Sequence, residues 1–185
     1  MNVETSSRRT ELFDATYAFV LEHGMAGLSL RPLAAAIGTS PRVLLYLFGN
    51  KDKLLRELLA RARREQIAEM ARALETGDGG ADNFEELTSR LWVFLSAPEQ
   101  RAMVRLTYEA FMLSLGREPG PWAGFAVESA QDWLDLLIDA QFDVPRAVAE
   151  ARATRALATI RGLLIDLLAC GDSERVAAAA RLGGW

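Results

Sequence analysis

An all-α fold is predicted from three properties of the sequence. Half of the 185 residues are hydrophobic, and no β-branched run alternates with polar residues as a strand would. Glycine and proline are few and mostly separate segments with helical apolar spacing. Residues 27–55 contain two short helical patterns joined by a tight turn at 38–40, which is the layout of a helix-turn-helix. We therefore predict an N-terminal three-helix helix-turn-helix head followed by a C-terminal helical bundle.

The first helix of the motif is predicted to begin after Ser29. The Ser29 hydroxyl would accept a hydrogen bond from a first-turn N–H group, as an N-cap residue does. Pro32 then falls at the third helical position, where the missing donor is tolerated. Gly38 would end this helix by adopting a positive φ angle.

The second helix of the motif is predicted to begin after Ser40, with Pro41 at its first position. Gly49 would end it, and Asn50 would cap the next helix. Three apolar residues are predicted to bury one side of the second helix: Leu44, Leu45 and Phe48. Three others are predicted to face outward, toward a partner: Arg42, Val43 and Tyr46.

Caps and apolar stripes predict the remaining helices in order. The two helices of the motif are the second and third of the chain, and helix one is predicted before them, over about 7–22. The helices predicted after the motif are helix four from Lys51 to a break at 76–80, helix five from Asp82, helix six from 96 to about 115, helix seven after the loop 116–121, helix eight from Asp143 to about Cys170, and helix nine from about 171.

The net charge of −4 is unevenly distributed along the chain. Residues 1–64 hold ten Lys and Arg against six Asp and Glu, whereas residues 65–185 are net acidic. A basic head on an acidic body is typical of a DNA-binding regulator, and a solvated helix face is the alternative. The single cysteine excludes a disulfide framework, and no hydrophobic run approaches membrane length. We expect a cytoplasmic protein that needs no cofactor or metal and does not bind a membrane.

The stretch from about Arg8 to Leu55 resembles the TetR family of transcriptional regulators. The resemblance includes the segment 24–31, the Ala-Ala-Ile-Gly-Thr-Ser turn at 35–40, and the ending from Tyr46 to Leu55. It implies a DNA-binding domain at 1–50 and an effector-binding and dimerisation domain at 51–185. The function it implies is a ligand-responsive regulator, most often a repressor, that binds a palindromic operator in double-stranded DNA as a homodimer.

The resemblance also implies which residues contact DNA. Ser29 and Arg31 fall where the second helix meets the DNA backbone, and Tyr46 and Lys51 fall at usual phosphate contacts. Five residues fall on the leading edge of the recognition helix: Thr39, Ser40, Pro41, Arg42 and Val43. The sequence departs from the family pattern at Leu45 and Leu47, where aromatic residues or histidine are common, and at Pro32, where an acidic residue is common.

The resemblance further implies an effector pocket and an interface between two copies in the body, and two sets of residues are expected to form them. An apolar or aromatic small-molecule effector would be held by a pocket of large side chains, whose alternative role is ordinary core packing: Trp92, Met103, Tyr108, Phe111, Met112, Trp122, Phe125 and Trp133. A four-helix interface between two copies would be formed from the last two helices, with intrachain core as the alternative: Ala156, Ile160, Leu163, Leu164, Leu167 and Val176.

Two other classes of function are alternatives to a regulator. A helical bundle could house a carboxylate di-metal enzyme, but such a site needs Glu-x-x-His pairs, and His23 is the sole histidine. No nucleophile–base pair or phosphate-binding glycine loop is recognisable, so we predict that the protein is not an enzyme. A helical interaction protein that keeps the fold but has lost DNA binding is the remaining alternative.

Overall fold

The computed structural model describes residues 3–75, 84–142 and 144–183, and the regular elements in these ranges are all helical. The helices are α1 (Val3–His23), α2 (Leu30–Ala36), α3 (Pro41–Phe48), α4 (Lys51–Glu75), α5 (Phe84–Ser96), α6 (Arg101–Ser114), α7 (Phe125–Asp139), α8 (Arg146–Cys170) and α9 (Ser173–Leu182). Short 3-10 turns precede α6 and α7. The predicted all-α fold is confirmed, whereas the predicted break at 76–80 and the predicted starts at Asp82 and Asp143 lie outside the described residues.

The helices form two compact units. The first contains α1–α3, α4 as far as Arg64, and residues 105–126. Its core is made of fully buried apolar side chains that include Leu12, Val20, Met25, Leu33, Leu44, Leu54 and Leu58. The predicted domain boundary between residues 50 and 51 remains a prediction, since the contacts group the first half of α4 with the three helices before it.

The second unit contains the described residues of 65–104 and those from Val127 onward. In it α8 packs against α5 and α9. Asp172 caps α9, because its Oδ1 accepts a hydrogen bond from the Arg175 N–H at 3.0 Å. No helix among the described residues combines the length and the apolar character that crossing a membrane requires.

Candidate nucleic-acid interface

Helix α3 is bounded by the caps that the sequence predicts. The Ser40 hydroxyl accepts a hydrogen bond from the Val43 N–H at 3.3 Å, and Pro41 is the first helical residue. After α3, the Asn50 Oδ1 accepts a hydrogen bond from the Lys53 N–H at 2.8 Å and caps α4. Gly38 adopts a φ of +66° in the turn before α3. The local geometry of the helix-turn-helix is therefore set by residues close in sequence.

The prediction for Ser29 is wrong in one respect. Ser29 is the N-cap residue of α2, but its hydroxyl makes no capping hydrogen bond. The physical reason is Pro32, which occupies the third position of α2 and has no N–H to donate to the cap. Ser29 is exposed, and its hydroxyl makes no hydrogen bond within the part of the chain that the structure describes, so it is available to a partner.

One side of α3 is buried in the first unit. Leu44 is 1% exposed and Phe48 is 4% exposed, and the Phe48 ring lies 5.9 Å from the Phe13 ring between centroids. The predicted burial of Leu45 is wrong, because 41% of this residue is exposed. Leu44 and Phe48 are four residues apart on one face of the helix, whereas Leu45 is rotated by about 100° away from Leu44. An eight-residue helix held along one face leaves that position open to solvent.

The residues predicted to face outward do so. Arg42 is exposed, Val43 is 37% exposed, and Tyr46 is 80% exposed. The other residues that the family resemblance assigns to DNA contact are also accessible. Ser29, Arg31 and Ser40 are exposed, and Thr39, Pro41 and Lys51 are half-buried. Whether these residues touch DNA stays a prediction.

The cations of the first unit differ in whether a carboxylate already neutralises them. Arg8 pairs with Glu11, Arg9 with Glu57, and Arg61 with Asp14. Arg31, Arg42 and Lys51 have no carboxylate partner in the part of the chain that the structure describes. Positive charges that no described carboxylate neutralises therefore lie on α2, on α3 and at the start of α4. The resemblance implies contact with phosphates and bases at these positions.

Arg9 of α1 fixes the end of α3, and nothing in the sequence pattern indicated this role. Its Nε–H donates to the Leu47 carbonyl at 3.4 Å, and its guanidinium lies 4.8 Å from the centre of the Phe48 ring. A cation on the last carbonyls of a helix is favoured by the helix dipole. Glu57 pairs with the same guanidinium and holds it in place.

Two residues of α6 fix the turn between α1 and α2. The Arg105 side chain donates to the carbonyls of Leu21 and Glu22, at 3.2 and 3.1 Å. The Glu109 carboxylate accepts hydrogen bonds from the backbone N–H groups of Met25, at 2.9 Å, and Ala26. No local pattern along the chain indicates these contacts, because more than 80 residues separate the partners.

Gly24 is required where Glu109 approaches the turn. It has a φ of +82°, which other residues adopt only with strain. A Cβ atom at this position would also lie 3.0 Å from Glu109 Oε2. The backbone conformation and the position of the Glu109 carboxylate therefore depend on each other.

The predicted effector-pocket residues are divided between the two compact units. Trp92, Met103 and Trp133 are buried in the second unit. The first unit contains buried Phe125, half-buried Tyr108, Phe111 and Trp122, and exposed Met112, which is 63% exposed. A pocket lined by these eight residues stays a prediction.

The residues predicted to form the interface between two copies are mostly core residues of a single chain. Ala156, Ile160, Leu164, Leu167 and Val176 are each at most 6% exposed, and only Leu163 is half-buried. Leu164 and Leu167 face a cleft that Leu95 and Val104 also line. Side chains covered by their own chain have little surface left for a second copy, and an interface formed by these six residues stays a prediction. Val148, which is also on α8, is 41% exposed.

The comparison with known proteins identifies the first unit. The family model described as bacterial regulatory proteins of the TetR family matches residues 12–58. This match runs from within α1 into α4 and includes both helices of the helix-turn-helix. The match shows a DNA-binding region of the TetR type in this chain. The protein is therefore a DNA-binding transcriptional regulator and not an enzyme.

Relatives and solved structures agree with this assignment over nearly the whole chain. The HTH-type transcriptional regulator BetI of Paraburkholderia xenovorans (strain LB400) is 26% identical over 174 residues, which cover 94% of this chain and 88% of BetI. A transcriptional regulator from Rhodococcus sp. Rha1 has the same fold, with a TM-score of 0.69 at 21% identity over 88% of this chain and 84% of that one.

A second similar structure contains a bound ligand. The multidrug binding protein EbrR, solved in complex with imidazole, is 28% identical, with a TM-score of 0.65 over 94% of this chain and 87% of EbrR. EbrR was also solved in complex with proflavin. In the present protein, no three His, Cys, Asp or Glu side chains among the described residues are grouped so that they could hold a metal ion.

Proposed function

We propose that this regulator is a ligand-responsive repressor that binds a palindromic operator as a homodimer. The observation that supports the proposal is the outward face of α3, where Arg42 has no carboxylate partner among the residues that the structure describes and Tyr46 is 80% exposed. The opposite face is fixed by buried Leu44 and Phe48. A short helix held in this way can enter the major groove with its N-terminal residues toward the base edges.

Within this proposal, Arg42 reads a base and the polar residues around it hold the DNA backbone. Arginine binds guanine O6 and N7 in the major groove with both ends of its guanidinium. The hydroxyl of Ser29, which makes no capping bond, can instead accept or donate a bond at the sugar–phosphate backbone. Arg31, Thr39, Ser40, Tyr46 and Lys51 are proposed to contact phosphates and set the register.

The proposed dimer contact is the exposed face of α8. Small or apolar residues recur there at helical spacing and point away from the single-chain core: Ala151, Ala158, Gly162, Ile165 and Ala169. Ile165 is 49% exposed. Small side chains allow two helices to approach closely, and a twofold dimer would present two copies of α3 to successive major grooves.

The proposed effector is a small apolar or aromatic molecule. EbrR, which is similar over 94% of this chain, binds imidazole and proflavin in its solved structures. An effector that changes DNA binding from almost complete to almost absent must bind the conformation that does not bind DNA more tightly than the one that does. The difference in its binding free energy must be about 5.5 kcal/mol. We expect imidazole, proflavin or related aromatic compounds to raise the melting temperature in the absence of DNA. A panel of such compounds that produced no shift would contradict an aromatic effector.

The experiment that tests the DNA-binding proposal is selection from random duplex DNA, followed by titration at several salt concentrations. We expect enriched sequences to be palindromic and to bind two chains per site. The logarithm of the affinity should fall with the logarithm of the salt concentration, with a slope of about −0.9 per neutralised phosphate. A flat salt response, or no enriched sequence, would favour the helical interaction protein instead.

Replacing Arg42 or Lys51 with alanine should have different effects on DNA binding. Arg42→Ala is expected to relax the preference at one base position, with a loss of about 1–3 kcal/mol for the preferred base. Lys51→Ala is expected to weaken all duplexes alike and to reduce the salt slope by about one. Affinities for the enriched duplex and for single-base variants distinguish the two outcomes. An unchanged base preference in Arg42→Ala would exclude Arg42 from base recognition.

A further inference from the structure

The outward face of α3 is partly apolar. Leu45 is 41% exposed and Val43 is 37% exposed, although α3 is only eight residues long. Leu45 lies one turn after Arg42 on the same face and directly precedes Tyr46. The helix therefore presents two aliphatic side chains beside the residues proposed to contact DNA.

These two side chains are not among the buried residues that form the core of the first unit. Leu44 and Phe48 already bury the inner face of α3, at 1% and 4% exposure. A leucine left half open to water on a short helix has surface that a partner can cover. Among the described residues, the cations near it in the sequence without a carboxylate partner include Arg31, Arg42 and Lys51, so the complementary partner is a polyanion.

Double-stranded DNA offers one apolar group in its major groove, the C5-methyl group of thymine. An aliphatic side chain cannot form hydrogen bonds with base edges, so contact with this methyl group is the form of direct base recognition open to it. We propose that Leu45, assisted by Val43, recognises thymine methyl groups and that part of the sequence preference therefore depends on them. This inference rests on the proposed DNA binding.

The test uses the duplex that the wild-type protein enriches from random DNA. Each thymine of a half-site is replaced in turn by deoxyuridine, which removes the methyl group and keeps every hydrogen-bonding group. At one or two positions we expect the affinity of the wild-type protein to fall by about fourfold per contact, the value for burying one methylene-sized group. In Leu45→Ala, the thymine and deoxyuridine duplexes should bind equally at the position that Leu45 contacts.

Val93→Ala is the matched control, because Val93 is also aliphatic and exposed, at 65%, but lies on α5. This variant should retain the full difference between thymine and deoxyuridine. If deoxyuridine has no effect at any position, or if its effect persists in Leu45→Ala, the inference is overturned while the proposed function stands. If no duplex is enriched at all, both are overturned.

Discussion

Replacing Phe48 with alanine is expected to lower the free energy of unfolding by about 3–5 kcal/mol, the range for removing a buried aromatic side chain. Phe48 is 4% exposed, and its ring contacts Phe13 and lies beneath the Arg9 guanidinium. Proteins are commonly stable by only roughly 5–15 kcal/mol. The loss should therefore reduce the folded population of the first unit and, with it, DNA binding.

Tyr46→Ala is the matched control, since Tyr46 is an aromatic residue of the same helix but is 80% exposed. Its free energy of unfolding should stay within about 0.5 kcal/mol of the wild-type value, as for most surface substitutions. Its DNA affinity should nevertheless fall, because Tyr46 is proposed to contact a phosphate. Urea denaturation and DNA titration of both variants measure the two effects separately. An unchanged urea midpoint for Phe48→Ala would contradict the packing described for α3.

Replacing Glu109 with alanine should destabilise the turn between α1 and α2. The Glu109 carboxylate accepts the N–H groups of Met25 and Ala26, and Met25 is only 1% exposed. Hydrogen bonds to a charged group contribute about 1.5–3 kcal/mol, and a buried N–H left without an acceptor is costly. We expect a loss of about 2 kcal/mol, seen as a melting temperature lower by about 4–8 °C for a chain of this size.

Glu118→Ala provides the control for Glu109→Ala. Glu118 is exposed, belongs to the same compact unit, and has no hydrogen bond or ion pair in the described structure. Removing its charge should leave the melting temperature unchanged within the error of the measurement. Equal melting temperatures for the two variants would mean that the Glu109 contacts do not hold the turn.

The helix-turn-helix was predictable because its signals are local. Ser40 and Asn50 cap helices through N–H groups three residues away, and Gly38 turns the chain between two short helices. The same local rule failed at Ser29, where the sequence also contained the reason. Pro32 removes the donor that the cap would have used.

The inward and outward faces of the helices were less predictable. The predicted apolar stripe of α3 consists of Leu44, Leu45 and Phe48, but only Leu44 and Phe48 are covered by neighbouring helices. On α8, Ile160 and Leu164 are buried by the chain itself, whereas Ile165 is exposed. Periodicity gives the spacing of an apolar face but does not say whether its own chain or a second copy covers it.

The sequence by itself determined the all-α class, the helix-turn-helix and its caps, the basic character of residues 1–64 and the TetR resemblance. These properties depend on residue type and on neighbours within about one helical turn. Only the tertiary structure decided that Leu45 faces outward, that Arg9 holds the end of α3, and that Glu109 holds the turn after α1. The contacts of Arg9 and Glu109 join residues that are at least 38 positions apart, and the exposure of Leu45 depends on which helices surround it. The spacing of residues along the chain does not contain that information.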